Sequence, residues 1–179
     1  MAVGQSQGGH ASLGTAEFMN SDSAYKGAVA GAPASSLGYI IETVAPIAIQ
    51  KVLAAEMAGA MPQGSAVEIY AELLAYAAYT TVGIKAYEPR FHYQELFGTR
   101  SQPIAEYAEG TTGENGLCLT DLHNKFADDI RLYLSQNLGK NVLDYPGLAK
   151  DFQKNDTVKK FLADNQPATK KINSPVMII

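Results

Sequence analysis

The chain has one cysteine, Cys118, and few charges: 14 Lys and Arg against 18 Asp and Glu, 18% of its 179 residues. A single thiol excludes an internal disulfide and any cysteine-based zinc site. A net charge of −4 leaves no electrostatic footprint for nucleic acid or an anionic membrane. Long hydrophobic runs are scarce as well. The best, Leu37 to Ile49, is interrupted by Glu42 and Pro46, so no span of a bilayer is expected. The N-terminus has no basic region ahead of an apolar core and does not read as a signal peptide. There is no metal-ligand spacing and no dinucleotide fingerprint. The glycines from Gly4 to Gly9 do not continue into the Gly-Lys-Ser/Thr of a phosphate loop.

What is present is 46% hydrophobic residues, enough for one globular domain with a sizeable core. Ala2-Val3 is β-compatible, Gly4 to Gly9 is turn-rich, and His10 to Met19 is helix-compatible; Lys26 to Gly31 is a small-residue run closed by Ala32-Pro33. Together they predict a β-α-β unit with parallel strands. Ile40, Ile41, Val44, Ile47, Val52 and Ala55 then repeat at helical spacing, with Pro46 a kink or first-turn proline. Val67, Tyr70, Leu74, Ala78, Thr81 and Ile84 form a second stripe ending before Glu88-Pro89. A third has Thr120 as N-cap and Leu122, Phe126, Ile130 and Leu134 on one face, stopping at Gly139. A shorter helix starts at Asp156 and ends before Pro167, and Val176 to Ile179 is a fully apolar strand.

Gly4-Gln5-Ser6-Gln7-Gly8 is a Gly-x-Ser-x-Gly sequence between a strand and a helix. At such a nucleophile elbow the serine sits on a strained turn, its hydroxyl clear of the sheet edge. Glycines two residues either side, Gly4 and Gly8, remove side chains that would collide. The helix that follows favours negative charge at the reaction centre, and the Gln7 amide is placed to donate to an oxyanion. Ser6 is therefore the candidate catalytic nucleophile and Gln7 the candidate oxyanion-hole donor.

The elbow with the following Gly9-His10, the helix carrying Ala11 and Leu13, and Tyr25 to Pro33 resemble the secretory lipase family of the α/β-hydrolases. That resemblance implies a serine carboxylic-ester hydrolase, a lipase or esterase, working through an acyl-enzyme on Ser6. It implies an acyl ester or lipid substrate and a secreted or extracytoplasmic location, with no cofactor and no metal. The implied fold is α/β: a partial α/β-hydrolase core of two to three parallel strands with a large helical cap insertion. Residues 1–35 would carry the elbow, 36–171 the cap and return helix, and 172–179 a further core strand. In this fold the acid and histidine follow the serine in chain order. The acid's loop would come after the strand at Val176 to Ile179, and the second oxyanion donor would come from a loop ahead of the elbow. The isolated chain is thus expected to be an inactive central piece, needing flanking sequence to complete the site.

The three histidines do not supply the missing base. His10 lies in the first turn after the elbow and reads as structural or pocket-lining. His92 is expected to pack within the cap. His123 is two residues from Asp121 on a predicted helix, and such neighbours do not face each other. The cap's apolar stripes read first as helix–helix core, and second as an acyl-binding wall or lid. Tyr70, Tyr76, Tyr79 and Tyr87 share a helix but no single face. Lys150, Lys154, Lys159, Lys160, Lys170 and Lys171 are interleaved with Asp151, Asp156 and Asp164 and read as solvated surface. Asn155-Asp156-Thr157 is a glycosylation sequon. Two other readings of the same residues are a non-catalytic α/β-hydrolase-like binding module and a helical interaction module.

Overall fold

The structure is a computed structural model that describes Met1–Ile179. It is helix-rich with one small parallel sheet, a partial α/β arrangement. The chain divides into two compact units, residues 1–42 with 162–179, and residues 43–161.

The first unit is built on strands β1 (Ala2–Gln5), β2 (Ala28–Gly31) and β3 (Val176–Ile178). All pair in parallel with β2 central. The register places Ala2, Ala28 and Val176 side by side, and likewise Val3, Val29 and Met177. Helix α1 (Gln7–Phe18) follows β1 after the single residue Ser6 and packs on β1 and β2. Its buried face is Gly9, Ser12, Leu13 and Ala16, set against Ala28 and Ala30. The small residues are what allow this approach: a Cβ on Gly9 would lie 2.8 Å from the Gly31 carbonyl oxygen and 3.0 Å from the Pro33 Cα. Alternation along the strands sends Val3 and Met177 to the opposite face, where both are exposed.

The run predicted from Ile40 to Ala55 is helical but not uniform. A single turn, α2 (Leu37–Tyr39), leads into a π turn (Ile40–Val44) and then α3 (Ala45–Met57). Pro46 lies in the first turn of α3, where its missing N–H costs no hydrogen bond, and the wide π turn absorbs the distortion just ahead of it. Leu37–Met57 is consequently one helical stretch of 21 residues, long and apolar enough to cross a membrane by length and composition. This corrects the expectation that Glu42 and Pro46 rule out such a stretch.

The second unit centres on α4 (Ser65–Tyr87), which runs as its stripe predicts and is flanked by α3 and α6 (Leu119–Gln136). Ala71, Ala75 and Ala78 are fully buried, and their small size brings the helices close. Leu74, Thr81 and Ile84 fill the remaining space, Thr81 returning its hydroxyl to the Ala77 carbonyl at 3.0 Å. From α6, Leu122, Phe126 and Ile130 enter the same core, and Phe126 stacks on Phe97 with centroids 6.1 Å apart. The N-cap of α6 is Cys118, with no side-chain cap bond, rather than Thr120. The chain leaves α6 through Gly139 at φ +85°, a conformation that suits glycine. Segments without periodicity hold several short turns, α5 (Gln102–Ala105) among them, and α7 (Asp156–Asp164) closes the helical series.

Candidate functional site

Ser6 is the one residue between β1 and α1, and its backbone is at φ +54°, ψ −114°. A non-glycine residue there stores on the order of 1–3 kcal/mol of strain and persists only where its surroundings over-determine it. They do so here. The Ser6 N–H donates to the Gly31 carbonyl at 2.8 Å, and the Ser6 carbonyl accepts from the amides of His10 (3.0 Å) and Ala34 (3.4 Å). The turn is thus tied to both the helix it starts and the strand beside it. The side chain is exposed.

Sterics decide which glycines the turn needs. A Cβ on Gly4 would overlap the Gly8 carbonyl group and lie 2.8 Å from the Gly8 Cα. A Cβ on Gly8 would meet nothing within 4 Å. The expectation that both elbow glycines remove colliding side chains is therefore corrected for Gly8: its backbone is what Gly4 must clear. The second demand falls on Gly9, against Gly31 and Pro33. The doubled glycine of the motif was the available signal for it.

The Ser6 amide is consumed by Gly31, so the first N–H at the head of α1 is that of Gln7, which is exposed. First-turn amides have no acceptor inside their own helix and are ready for a negative ligand atom. Ser6 and Gln7 stand at the carboxyl end of β1, the edge at which open parallel sheets bind ligands. The same edge carries Ala32, just past β2, at φ +37°, with its N–H on the Ile179 carbonyl at 2.7 Å. Backbone strain therefore gathers at the tips of two adjacent strands.

No histidine side chain bonds to Ser6. The His10 ring Nδ1 is 2.8 Å from the Ala34 carbonyl, a structural clamp between the first turn of α1 and the segment after β2. His92 is exposed while Phe91 and Tyr93 beside it are buried, which corrects the expectation that it packs. A one-residue step along extended chain turns it to solvent. His123 ignores Asp121 and sets Nε2 3.2 Å from the Glu68 carboxylate on α4, where Arg131 also pairs.

In the helical unit Asp129 organises a polar cluster. Arg100 binds its carboxylate with two nitrogens at 2.7 and 2.8 Å, and the Tyr145 hydroxyl donates to it at 2.8 Å. Tyr70 and Tyr133 meet the Tyr145 ring edge-on. Burial first, and the Asp129 bond second, push the Tyr145 hydroxyl above the ordinary tyrosine range, and burial pushes Tyr70 up to about 12. Two clefts also lie in this unit. One, of about 380 Å³, is lined by Leu53, Met57, Val67, Leu134 and Val142 among others; the other, of about 220 Å³, is lined by Lys85, His92, Tyr93, Glu106 and Glu109. Neither includes Ser6. No group of three or more His, Cys, Asp or Glu side chains is placed to hold a metal ion. At the sequon, Asn155 caps α7 through Oδ1 and donates Nδ2 to Glu95 at 2.9 Å.

No family model, no curated protein and no solved structure matches this chain.

Proposed function

We propose that the chain is the nucleophile-bearing part of a serine carboxylic-ester hydrolase of secretory-lipase type, with an α/β-hydrolase core and a helical cap. The observation that carries the reading is the backbone of Ser6. A non-glycine residue at φ +54°, ψ −114°, alone between a parallel strand and a helix, with a glycine required four residues before Gly8, is what a nucleophile elbow demands.

In the proposed reaction the Ser6 Oγ attacks the carbonyl carbon of an acyl ester and passes its proton to a base. The Gln7 N–H faces the developing oxyanion. The alcohol leaves with a proton, and water releases the acid from the acyl-serine. Because His10, His92 and His123 are engaged or directed elsewhere, the reading assigns the base, its acid partner and a second oxyanion donor to flanking sequence. Without them, the isolated chain is inactive. Substrates of this class are lipids and shorter acyl esters, and the location it implies is secreted or extracytoplasmic. The same displacement of the histidines supports a second reading, a hydrolase-like binding module that keeps the elbow without the chemistry.

A fluorophosphonate probe separates the two. The chain extended through its flanking coding sequence should label and turn over a short acyl ester, and Ser6→Ala should abolish both. The isolated chain should do neither. Labelling of the extended chain that survives Ser6→Ala would remove Ser6 as nucleophile. No labelling in any context would leave the binding-module reading. Turnover by the isolated chain would show that its own residues supply the base.

A further inference from the structure

We propose that His10 is a positioning residue for the candidate nucleophile. Through Ala34 it fixes the peptide group that joins Ser6 to Gln7, and so aims the Gln7 N–H at the place of the oxyanion. The inference rests on the acyl-ester hydrolase reading for the use of that N–H, but the geometry that carries it is separate.

Three hydrogen bonds close a ring. The Ser6 carbonyl accepts from the Ala34 N–H at 3.4 Å and from the His10 N–H at 3.0 Å, and the Ala34 carbonyl accepts from the His10 ring Nδ1 at 2.8 Å. Around Ala34 the Ser35 N–H donates to the Pro33 carbonyl at 2.8 Å, a three-residue turn that leaves both backbone polar groups of Ala34 to face Ser6 and His10. The chain leading into this turn is anchored on both sides: the Gly31 carbonyl accepts from Ser6, and the Ala32 N–H donates to Ile179. Gly9 permits the approach, since a Cβ there would lie 2.8 Å from the Gly31 carbonyl oxygen and 3.0 Å from the Pro33 Cα.

The Ser6 carbonyl and the Gln7 N–H belong to one peptide group, which is trans. Such a group is planar, with its C=O and N–H pointing in opposite directions, so whatever fixes one fixes the other. The bond from the His10 N–H comes with the first turn of any helix. The bond from Ala34 is the added restraint, and at 3.4 Å it is the longest of the three. The His10 ring supports it by holding the other side of Ala34. Rotation of the same peptide group is also the ψ of Ser6, so the ring of bonds resists relaxation of the strained turn.

A helical side chain leans back over the turn before its own, which brings the His10 ring beside the elbow four residues earlier. A carbonyl oxygen only accepts, so Nδ1 carries a ring proton. The neutral Nδ1–H ring and the imidazolium both donate there, so the clamp needs a donor and not a particular charge. Asparagine places an amide N–H close to the position of Nδ1, whereas phenylalanine keeps the ring bulk and donates nothing. Those two substitutions separate a hydrogen-bonding role from packing and from proton transfer.

The test has two arms. In the isolated 179-residue chain, ring-nitrogen NMR shifts should show His10 protonated at Nδ1. Amide exchange at Ala34 should quicken about tenfold or more in His10→Phe and return toward wild type in His10→Asn, with exchange at Leu74 of the helical unit unchanged. In the chain extended through its flanking coding sequence, His10→Phe should lower kcat for a short acyl ester about a hundredfold with KM near wild type. His10→Asn should recover most of that loss. An Nδ1 without a proton, unchanged Ala34 exchange in folded His10→Phe, an unchanged kcat, or a loss that His10→Asn does not recover would each overturn the proposal. The tautomer is read on wild type, and His10→Ala takes the place of His10→Phe should the latter fail to fold. A wild-type extended chain that neither labels nor turns over ester would overturn the hydrolase reading, and the positioning role with it, while tautomer and exchange still match expectation. That pattern differs from failure of the clamp alone, in which the extended chain is active.

Discussion

Gly4 and Gly8 meet backbone to backbone: a Cβ on Gly4 would overlap the carbonyl group of Gly8, while one on Gly8 would touch nothing within 4 Å. The motif is symmetric on paper and asymmetric in space. Gly4 sits in a strand pinned to β2, so its backbone cannot back away. Gly8 sits in the first turn of α1, where alanine has the better helix propensity. Gly4→Ala should therefore cost about 2–3 kcal/mol or prevent folding of the strand unit, as overpacking against rigid backbone does. Gly8→Ala should stay within about 1 kcal/mol of wild type. Denaturant melts of the two variants make the comparison. Equal losses at both positions would show that the symmetric reading of the motif was the better one.

Ser6 offers a sharper separation of strain from chemistry. Glycine adopts positive φ without the penalty a side chain incurs, and the exposed Ser6 side chain makes no hydrogen bond within the chain that the substitution would remove. Ser6→Gly should raise stability by about 1 kcal/mol, whereas Ser6→Ala keeps the strained backbone and should be close to neutral. The same glycine substitution should abolish probe labelling of the extended chain. A chain that is stabilised and silenced by one change is the signature of strain held for function. A Ser6→Gly variant that melts earlier than wild type would remove the strain argument.

The strand–turn–helix at Ser6 was legible because glycine spacing and apolar flanks are local signals, and local sterics decide them. The stripes at Val67–Ile84 and Leu122–Leu134 were legible for the same reason: helical periodicity records which face is covered. What escaped reading depends on partners distant in sequence. Nothing in Gly8 itself says that its backbone, not its side chain, is the obstacle. Nothing in His92 says that Phe91 and Tyr93 take the buried positions. The uninterrupted helix through Pro46 required a π turn, which no residue pattern announces. The Asp129 cluster joins residues 29 and 16 positions away, with no periodic or motif signal connecting them.

That cluster sets the last expectation. Asp129 holds Arg100 bidentately and accepts from Tyr145, and both carboxylate partners belong to segments outside α6. Asp129→Ala leaves a guanidinium and a hydroxyl without their acceptor, which should cost about 2–4 kcal/mol; Tyr145→Phe, which removes one hydrogen bond and keeps the ring, should cost about 1 kcal/mol. The two also differ in alkali. The folded pKa of Tyr145 is raised above its unfolded value, so its contribution is complete below about pH 10 and is lost as pH rises toward the folded value. Over that window the unfolding free energy should fall by about 1.4 kcal/mol per pH unit for each such tyrosine. Tyr70, raised to about 12 by burial, adds to the slope between the ordinary tyrosine value and its own. Urea melts between about pH 9 and about pH 11.5 should show wild type losing stability faster than Tyr145→Phe, the two curves converging as pH rises. Parallel curves would mean that the Tyr145 hydroxyl titrates alike folded and unfolded, and that its bond to Asp129 does not hold the helical unit together.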